Sequence, residues 1–377
     1  MMKPSKFAFL LLLLLVSACS GNPEVRMAET QTVEALVAAT ETAENMMPSA
    51  TPTVTATTTQ TPTATEIPPT PTITPTPWAL STPSASGLLA GVTPVEYVDD
   101  ACTYLANKWG EGKAEPGTIV VPIMFHSVLP PGKQPTDPEQ VTTEYFEFFM
   151  DYAKQLGFET ITTAELVDFL ENNTAIPKYA MILILDDKRP DTPQLFMPYL
   201  EANDWTLTLA VNTGDTPVAS YWEKTEGYVA TGRVEVQSHG YNHVYIQDYT
   251  DPEVIDEEIY QSIEVIEERF GNIPQAFIWP GGNFTPESVE IAREAGYEIG
   301  FTVFSRGPVM YNWIPLGEAE EAINDPLMVL PRAWSSAADV ALIRALQISE
   351  HNETLAAEAM EQELLYYSLF CSDVSGE

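Results

Sequence analysis

Basic residues are scarce in this 377-residue chain: 17 Lys and Arg stand against 54 Asp and Glu, a formal net charge of −37. A chain so poor in cations cannot neutralise a phosphate backbone, which excludes nucleic acid as a partner. Long apolar runs are short supply as well; the one from Phe7 to Val16 is too brief for a comfortable membrane span. Cysteine occurs three times and histidine four, so disulfide and imidazole chemistry are confined to a few positions. The repetitive look of the first hundred residues is compositional, which excludes a solenoid.

What is present at the N-terminus reads as an address. Lys3 and Lys6 precede the apolar run, and the run ends in "VSAC", the arrangement of an export signal over residues 1–18. The hydrophobic residue, two small ones and a cysteine resemble a bacterial lipobox. That resemblance implies cleavage before Cys19 and diacylation of its sulfur, a firm membrane anchor outside the cytoplasm. From Met27 to about Leu89 the chain is Thr, Ala, Pro and Glu without Lys or Arg, centred on "TPTATEIPPTPTITPTP". Such a stretch buries too little apolar surface to offset its ordering entropy. It is read as a disordered stalk, the linker running over 19–95 and the folded domain over 96–377.

Residues 101–377 carry 45 acidic and 14 basic side chains, a balance of −31. This is read as a solubility feature, with attraction to a polymer that gains positive charge as the functional alternative. Cys102 and Cys371 lie near the two ends of this region, and outside the cytoplasm they can pair or remain thiols.

Beyond Gly117 strand-like apolar runs alternate with helix-like segments, the pattern of an α/β domain with parallel strands. The runs are "TIVVPIMF", "FETIT", "YAMILIL", "TLTLAVN", "VEVQS", "AFIWP", "IGFTVF" and "MVLP". So many strand and crossover units predict a closed or nearly closed barrel. Between them, "TDPE" opens a helix over 250–270, with Thr250 or Asp251 as cap and Glu253 for a capping box. Ile255, Ile259, Ile263, Ile266 and Phe270 form its core face, and Gly271 stops it. "TPESVEIAREAG" and "TEYFEFFMDYAKQLG" repeat the scheme.

Three of the four histidines, His126, His239 and His243, follow directly on strand-like runs. In barrels of alternating strands and helices such positions converge on one mouth. His239 and His243 stand four apart in "SHGYNH", a spacing that aims two imidazoles at one ion yet also suits solvated or backbone-satisfied side chains. "MILIL" runs straight into Asp186 and Asp187, and a carboxylate pair at a buried strand end must be compensated. Two imidazoles and one carboxylate would leave open positions on a divalent metal, with the second aspartate free for proton transfer.

At this point the residues resemble the polysaccharide deacetylases, the NodB-like carbohydrate esterases of family 4. "ILDDK" is similar to the family's "TFDDG", "SHGYNH" matches "SHTxxH" in spacing, "WPGG" at Trp279, Pro280, Gly281 and Gly282 resembles "YPYG", and "GFETITTAELVDFLENN" reads like the segment before the Asp pair. The resemblance covers about residues 118–345. It implies a distorted (β/α) barrel in which Asp187, His239 and His243 hold a divalent metal, usually zinc, with cobalt or nickel as alternatives. Asp186 is then the general base. No histidine follows "LMVLPRAW", and His351 is a poor candidate for the acid. A permuted subgroup acting on poly-N-acetylglucosamine carries a histidine on the first strand, which "VVPIMFHSV" is similar to, so His126 is assigned as acid. The metal and backbone donors of the WPGG turn would stabilise the oxyanion.

The implied activity is removal of N-acetyl or O-acetyl groups from an acetylated polysaccharide such as poly-N-acetylglucosamine or peptidoglycan, by a monomer. Two departures bear on this. Lys188 stands at the family's glycine, and Ile278 at its arginine, for which Arg332 can substitute by orienting Asp186. They keep open a protein that retains barrel and metal but only binds glycan. Trp205, Trp222, Trp279, Trp313 and Trp334 are candidate sugar platforms, and the segment from Tyr311 to Pro326 is a candidate groove wall.

Overall fold

The computed structural model describes residues 76–187, 189–214 and 219–371, all within one compact unit, Ile73–Glu377. The export signal, Cys19, the Thr/Pro-rich stretch up to residue 75 and Lys188 lie outside the described residues.

The apolar runs become strands because each is buried on both faces, the condition of a parallel sheet. In β2 (Ile119–Phe125) every residue is buried, and in β6 (Tyr179–Asp186) all but the first. The two pair in parallel register, Ile119 opposite Tyr179 and Phe125 opposite Leu185. With β7 (Leu207–Val211), β8 (Val234–Ser238), β9 (Ala276–Ile278), β10 (Ile299–Phe301) and β12 (Ala333–Trp334) they form one sheet in the order β10-β9-β8-β7-β6-β2-β12, and β5 (Glu159–Thr160) pairs with the start of β6.

Side chains alternate between two cores, as strand periodicity requires. Ile123, Phe125, Leu183, Leu185 and Leu209 pack with Phe146, Phe149 and Phe196 of the helices Thr143–Gln155 and Pro193–Asn203. Val120, Ile182, Ile184, Ala210, Ile278 and Phe301 belong to the other core, where strands from both ends of the sheet meet. The sheet is thus curled into a half-barrel. Its edges are joined by the segment before β12: Leu330 N–H donates to Gly300 O, Thr302 N–H to Leu330 O, and Arg332 N–H to Phe304 O. Ala333 and Trp334 then pair with Ile123 and Met124 of β2.

Three expectations change. "MVLP" is not a strand; Pro326–Val329 is a 3₁₀ turn and β12 starts at Ala333, since Pro326 and Pro331 have no N–H to give a ladder. The segment from Tyr311 to Pro326 is no groove wall: Val309 pairs with Val120 near the start of β2, and β11 (Ile314–Leu316) pairs antiparallel with β1 (Thr93–Val95). That is the opposite end of β2 from His126. Residues 78–95, assigned by composition to the linker, lie against the domain. The Trp78 ring packs edge-on against Tyr366 and Phe370, and the Ser81 hydroxyl donates to Glu363. Their apolar and hydroxyl groups find partners on the 33-residue helix Ala338–Phe370, which lacks Gly and Pro and so runs unbroken. Cys102 and Cys371 form a disulfide. No helix among the described residues is long and apolar enough to cross a membrane.

Candidate metal centre at the strand ends

Asp186 is the last residue of β6 and continues the inward parity of Ile182 and Ile184, so its carboxylate enters the mouth at 1 % exposure. Arg332, also 1 % exposed, meets it there: Nη1 donates to Oδ1 at 2.7 Å and Oδ2 at 2.9 Å, while Nε donates to Thr302 O at 2.7 Å. Burial pushes the Asp186 pKa up, but Arg332, His239 and His126 outweigh it and hold the group below its ordinary value. An ionised buried carboxylate paired with a guanidinium is the one form that avoids an uncompensated charge.

Asp187 turns the chain out of the strand at φ +69°, a left-handed conformation that short polar side chains tolerate better than most. Its Oδ2 accepts from Arg189 Nη2 at 3.0 Å, leaving Oδ1 facing the histidines. His239, 2 % exposed, follows β8. Its Nδ1 lies 2.7 Å from Ile278 O, so Nδ1 carries the proton and the Nε2 lone pair points into the mouth, the tautomer a metal ligand needs. His243 sits at φ +63° and brings its Nε2 to 3.1 Å from His239 Nε2.

The three donors form a triangle with edges of 3.1 Å between the imidazoles, 3.4 Å from His243 Nε2 to Asp187 Oδ1 and 3.8 Å from His239 Nε2 to Asp187 Oδ1. Ligands about 2.0–2.1 Å from a shared tetrahedral ion stand about 3.3 Å apart. Two neutral imidazoles and a carboxylate at these separations fit a divalent cation and can hold one. Burial lowers the pKa of both imidazoles, His243 further through His239, against opposing pulls from Asp186 and Asp187. Both are therefore neutral and able to ligate.

His126 lies just past β2 with Nε2 3.7 Å from Asp186 Oδ2 and its ring stacked on Trp334, centroids 6.1 Å apart. Its Nδ1 is buried without a hydrogen-bond partner among the described residues. All six residues expected at the site, Asp186, Asp187, His126, His239, His243 and Arg332, thus converge on one mouth. The WPGG turn is adjacent, with two of its N–H groups already paired. The Trp279 N–H donates to Phe301 O and the Gly282 N–H to Trp279 O, so neither is available to an oxyanion. Trp279 is itself fully buried with its indole N–H on Met328 O. Trp205, Trp222 and Trp313 are core as well, and of the five candidate platforms Trp334 alone borders the site. His351 is exposed on the terminal helix.

Sequence reasoning missed Arg189, the Ile278 carbonyl and Glu258. Glu258 is 1 % exposed and accepts backbone N–H groups from Tyr241, Asn242 and Val244. It lies in a π turn, Glu257–Gln261, inside the predicted helix, and such turns often mark functional sites.

A family profile described as "Polysaccharide deacetylase" matches residues 174–300, the stretch that contributes Asp186, Asp187, His239, His243 and the WPGG turn. Among solved structures, the chain is similar to the Streptococcus pyogenes deacetylase PplD in complex with acetate, at 20 % identity over 62 % of this chain and 99 % of that one, with a TM-score of 0.50. It is also similar to IcaB from Ammonifex degensii, at 20 % identity, 62 % and 100 % coverage and a TM-score of 0.49. At these identities the likeness concerns the fold. No curated protein sequence matches the chain. Residues 174–300 thus carry a polysaccharide deacetylase match, and it is over this stretch that the chain resembles that family of hydrolases.

Proposed function

We propose that this protein is a metal-dependent deacetylase that removes acetyl groups from an extracellular polysaccharide bearing N-acetylglucosamine. The observation that carries this is the triangle of His239 Nε2, His243 Nε2 and Asp187 Oδ1 beside an ionised, buried Asp186. A divalent ion on these donors, zinc by their chemistry with cobalt or nickel as substitutes, supplies Lewis acidity toward a water and the acetyl carbonyl. Asp186, held by Arg332, accepts the proton of the attacking water. His126, at 3.7 Å from Asp186, gives a proton to the departing amine, and Trp334 keeps its ring in plane. Acetate and a glucosamine unit are the products.

The reading also holds the protein to be exported and anchored through a diacylated Cys19. The Cys102–Cys371 pairing supports an oxidising compartment. Partition of the full chain into a detergent phase, lost in Cys19→Ser, checks the anchor; equal partition contradicts it.

The test of the activity is acetate release from N-acetylglucosamine oligomers and from acetylated xylan by zinc- or cobalt-loaded protein, with and without a chelator. Chelator-sensitive release is expected, absent in Asp187→Ala with the metal lost, and absent in Asp186→Asn with the metal kept. No release from any acetylated glycan would sink the enzyme. One observation favours a second reading, a barrel that binds glycan without turnover: Arg332 holds Asp186 below its ordinary pKa and so weakens it as a base. Oligomer binding without acetate would decide for it.

A further inference from the structure

The loop from His239 to Val244 carries both imidazoles, and its backbone does not follow the barrel. Gly240 sits at φ +78° and His243 at φ +63°, the latter a left-handed conformation that a residue other than glycine keeps only when the surroundings impose it. Beneath the loop lies one carboxylate. Glu258 Oε1 accepts from Asn242 N–H at 2.7 Å, and Oε2 from Tyr241 N–H at 3.0 Å and Val244 N–H at 3.2 Å. The residues on either side of His243, Asn242 and Val244, are thus held through their N–H groups by the two oxygens of a single side chain. Gly240 is part of the same fit, since a Cβ there would collide with Glu258 Oε2. The π turn Glu257–Gln261 adds a residue to the helix at this point; the loop is held on its other side by Ser238 Oγ, which accepts from Gly240 N–H at 3.2 Å, and by the Thr213 and Gly214 N–H groups, which donate to Gly240 O at 3.0 Å and Tyr241 O at 2.6 Å.

We propose that Glu258 is a positioning residue: its buried carboxylate clamps Tyr241, Asn242 and Val244 and thereby sets the separation of the His239 and His243 imidazoles for a divalent ion. The chemistry requires a carboxylate. It has acceptors only, and its bonds to N–H groups are about twice as strong as neutral ones. Glutamine would keep one oxygen for Asn242 and turn an NH₂ group onto the N–H groups of Tyr241 and Val244. The proposal rests on the metal-centre reading above, and its test keeps the two apart.

The full chain is titrated with Co2+ and followed by its visible absorption, and amide exchange at Tyr241, Asn242 and Val244 is measured on chelator-treated protein. The control is Glu363→Gln. Glu363, on the terminal helix, is likewise buried and accepts from Ser81, Lys108 and Trp109. Glu258→Gln is expected to raise the Co2+ dissociation constant about 10- to 100-fold and to speed exchange at the three amides. Glu363→Gln lowers Tm and leaves both readouts unchanged. Should Glu258→Gln fail to fold, Glu258→Asp, which keeps the acceptors and withdraws them by one methylene, takes its place with a smaller shift of the same sign. Wild-type Co2+ affinity or unchanged exchange in the folded variant overturns the proposal. If wild-type protein binds no Co2+, the metal centre falls and the exchange rates alone decide the clamp.

Discussion

Asp186 and Arg332 show how a single pair decides both stability and chemistry. Each is 1 % exposed, so removing one leaves the other as a buried, unpaired charge. Arg332→Met should cost about 3–5 kcal/mol, read as a lower urea midpoint; a loss under about 1 kcal/mol would mean that Asp186 has another counter-ion. The imidazoles make a second prediction. Burial holds His239 and His243 below the ordinary histidine pKa, so the unfolded chain binds more protons. The stability they contribute is complete above about pH 6.5 and is lost as pH falls below it. In chelator, the Tm advantage of wild type over His243→Asn should shrink between pH 7.5 and 5.5, and a constant difference would contradict the assignment. Asp186 and His239 were legible in the sequence because they stand at the ends of buried strands, and His243 because of its spacing from His239. Glu258 was not, because it sits in a helix whose register a π turn alters. The Ile278 carbonyl was not either, since every residue has one.

The long parallel strands were legible as elements because burial on both faces leaves unbroken apolar runs, as in "IVVPIMF" and "YAMILIL". The three-residue strands β1 and β11 carry no such pattern, and neither do β3 (Ser127–Leu129) and β4 (Gln140–Thr142), which pair beside the mouth. "MVLP" misled because apolar character alone does not distinguish a strand from a turn that two prolines keep out of a ladder. That turn and the residues after it close the sheet, and the closure depends on Gly300, whose missing Cβ leaves room for Met328 O. Gly300→Ala should therefore push Leu330 away from β10 and lower stability by more than about 2 kcal/mol, measured by urea unfolding. A neutral effect would show that the edges of the sheet are not joined there.

The described domain is tied across most of its length. The Cys102–Cys371 disulfide spans 269 residues of sequence, and the helix it ends also holds Trp78 and Ser81. A loop of that length implies about 3–5 kcal/mol of stabilisation. Equilibrium unfolding with and without reductant should show that loss; identical curves would mean that the two cysteines are not paired in solution. The composition pointed to a linker reaching residue 95, but 78–95 dock on the domain because their few apolar and hydroxyl side chains meet partners on that helix, which a count of Thr and Pro does not register. The chemistry proposed at the mouth depends on one ion binding between two imidazoles and one carboxylate. Anomalous diffraction from crystals grown with cobalt, collected at the metal's absorption edge, tests this directly. A single peak about 2.0–2.2 Å from His239 Nε2, His243 Nε2 and Asp187 Oδ1 is the expected result. Cobalt bound elsewhere, with none at these three atoms, would contradict it.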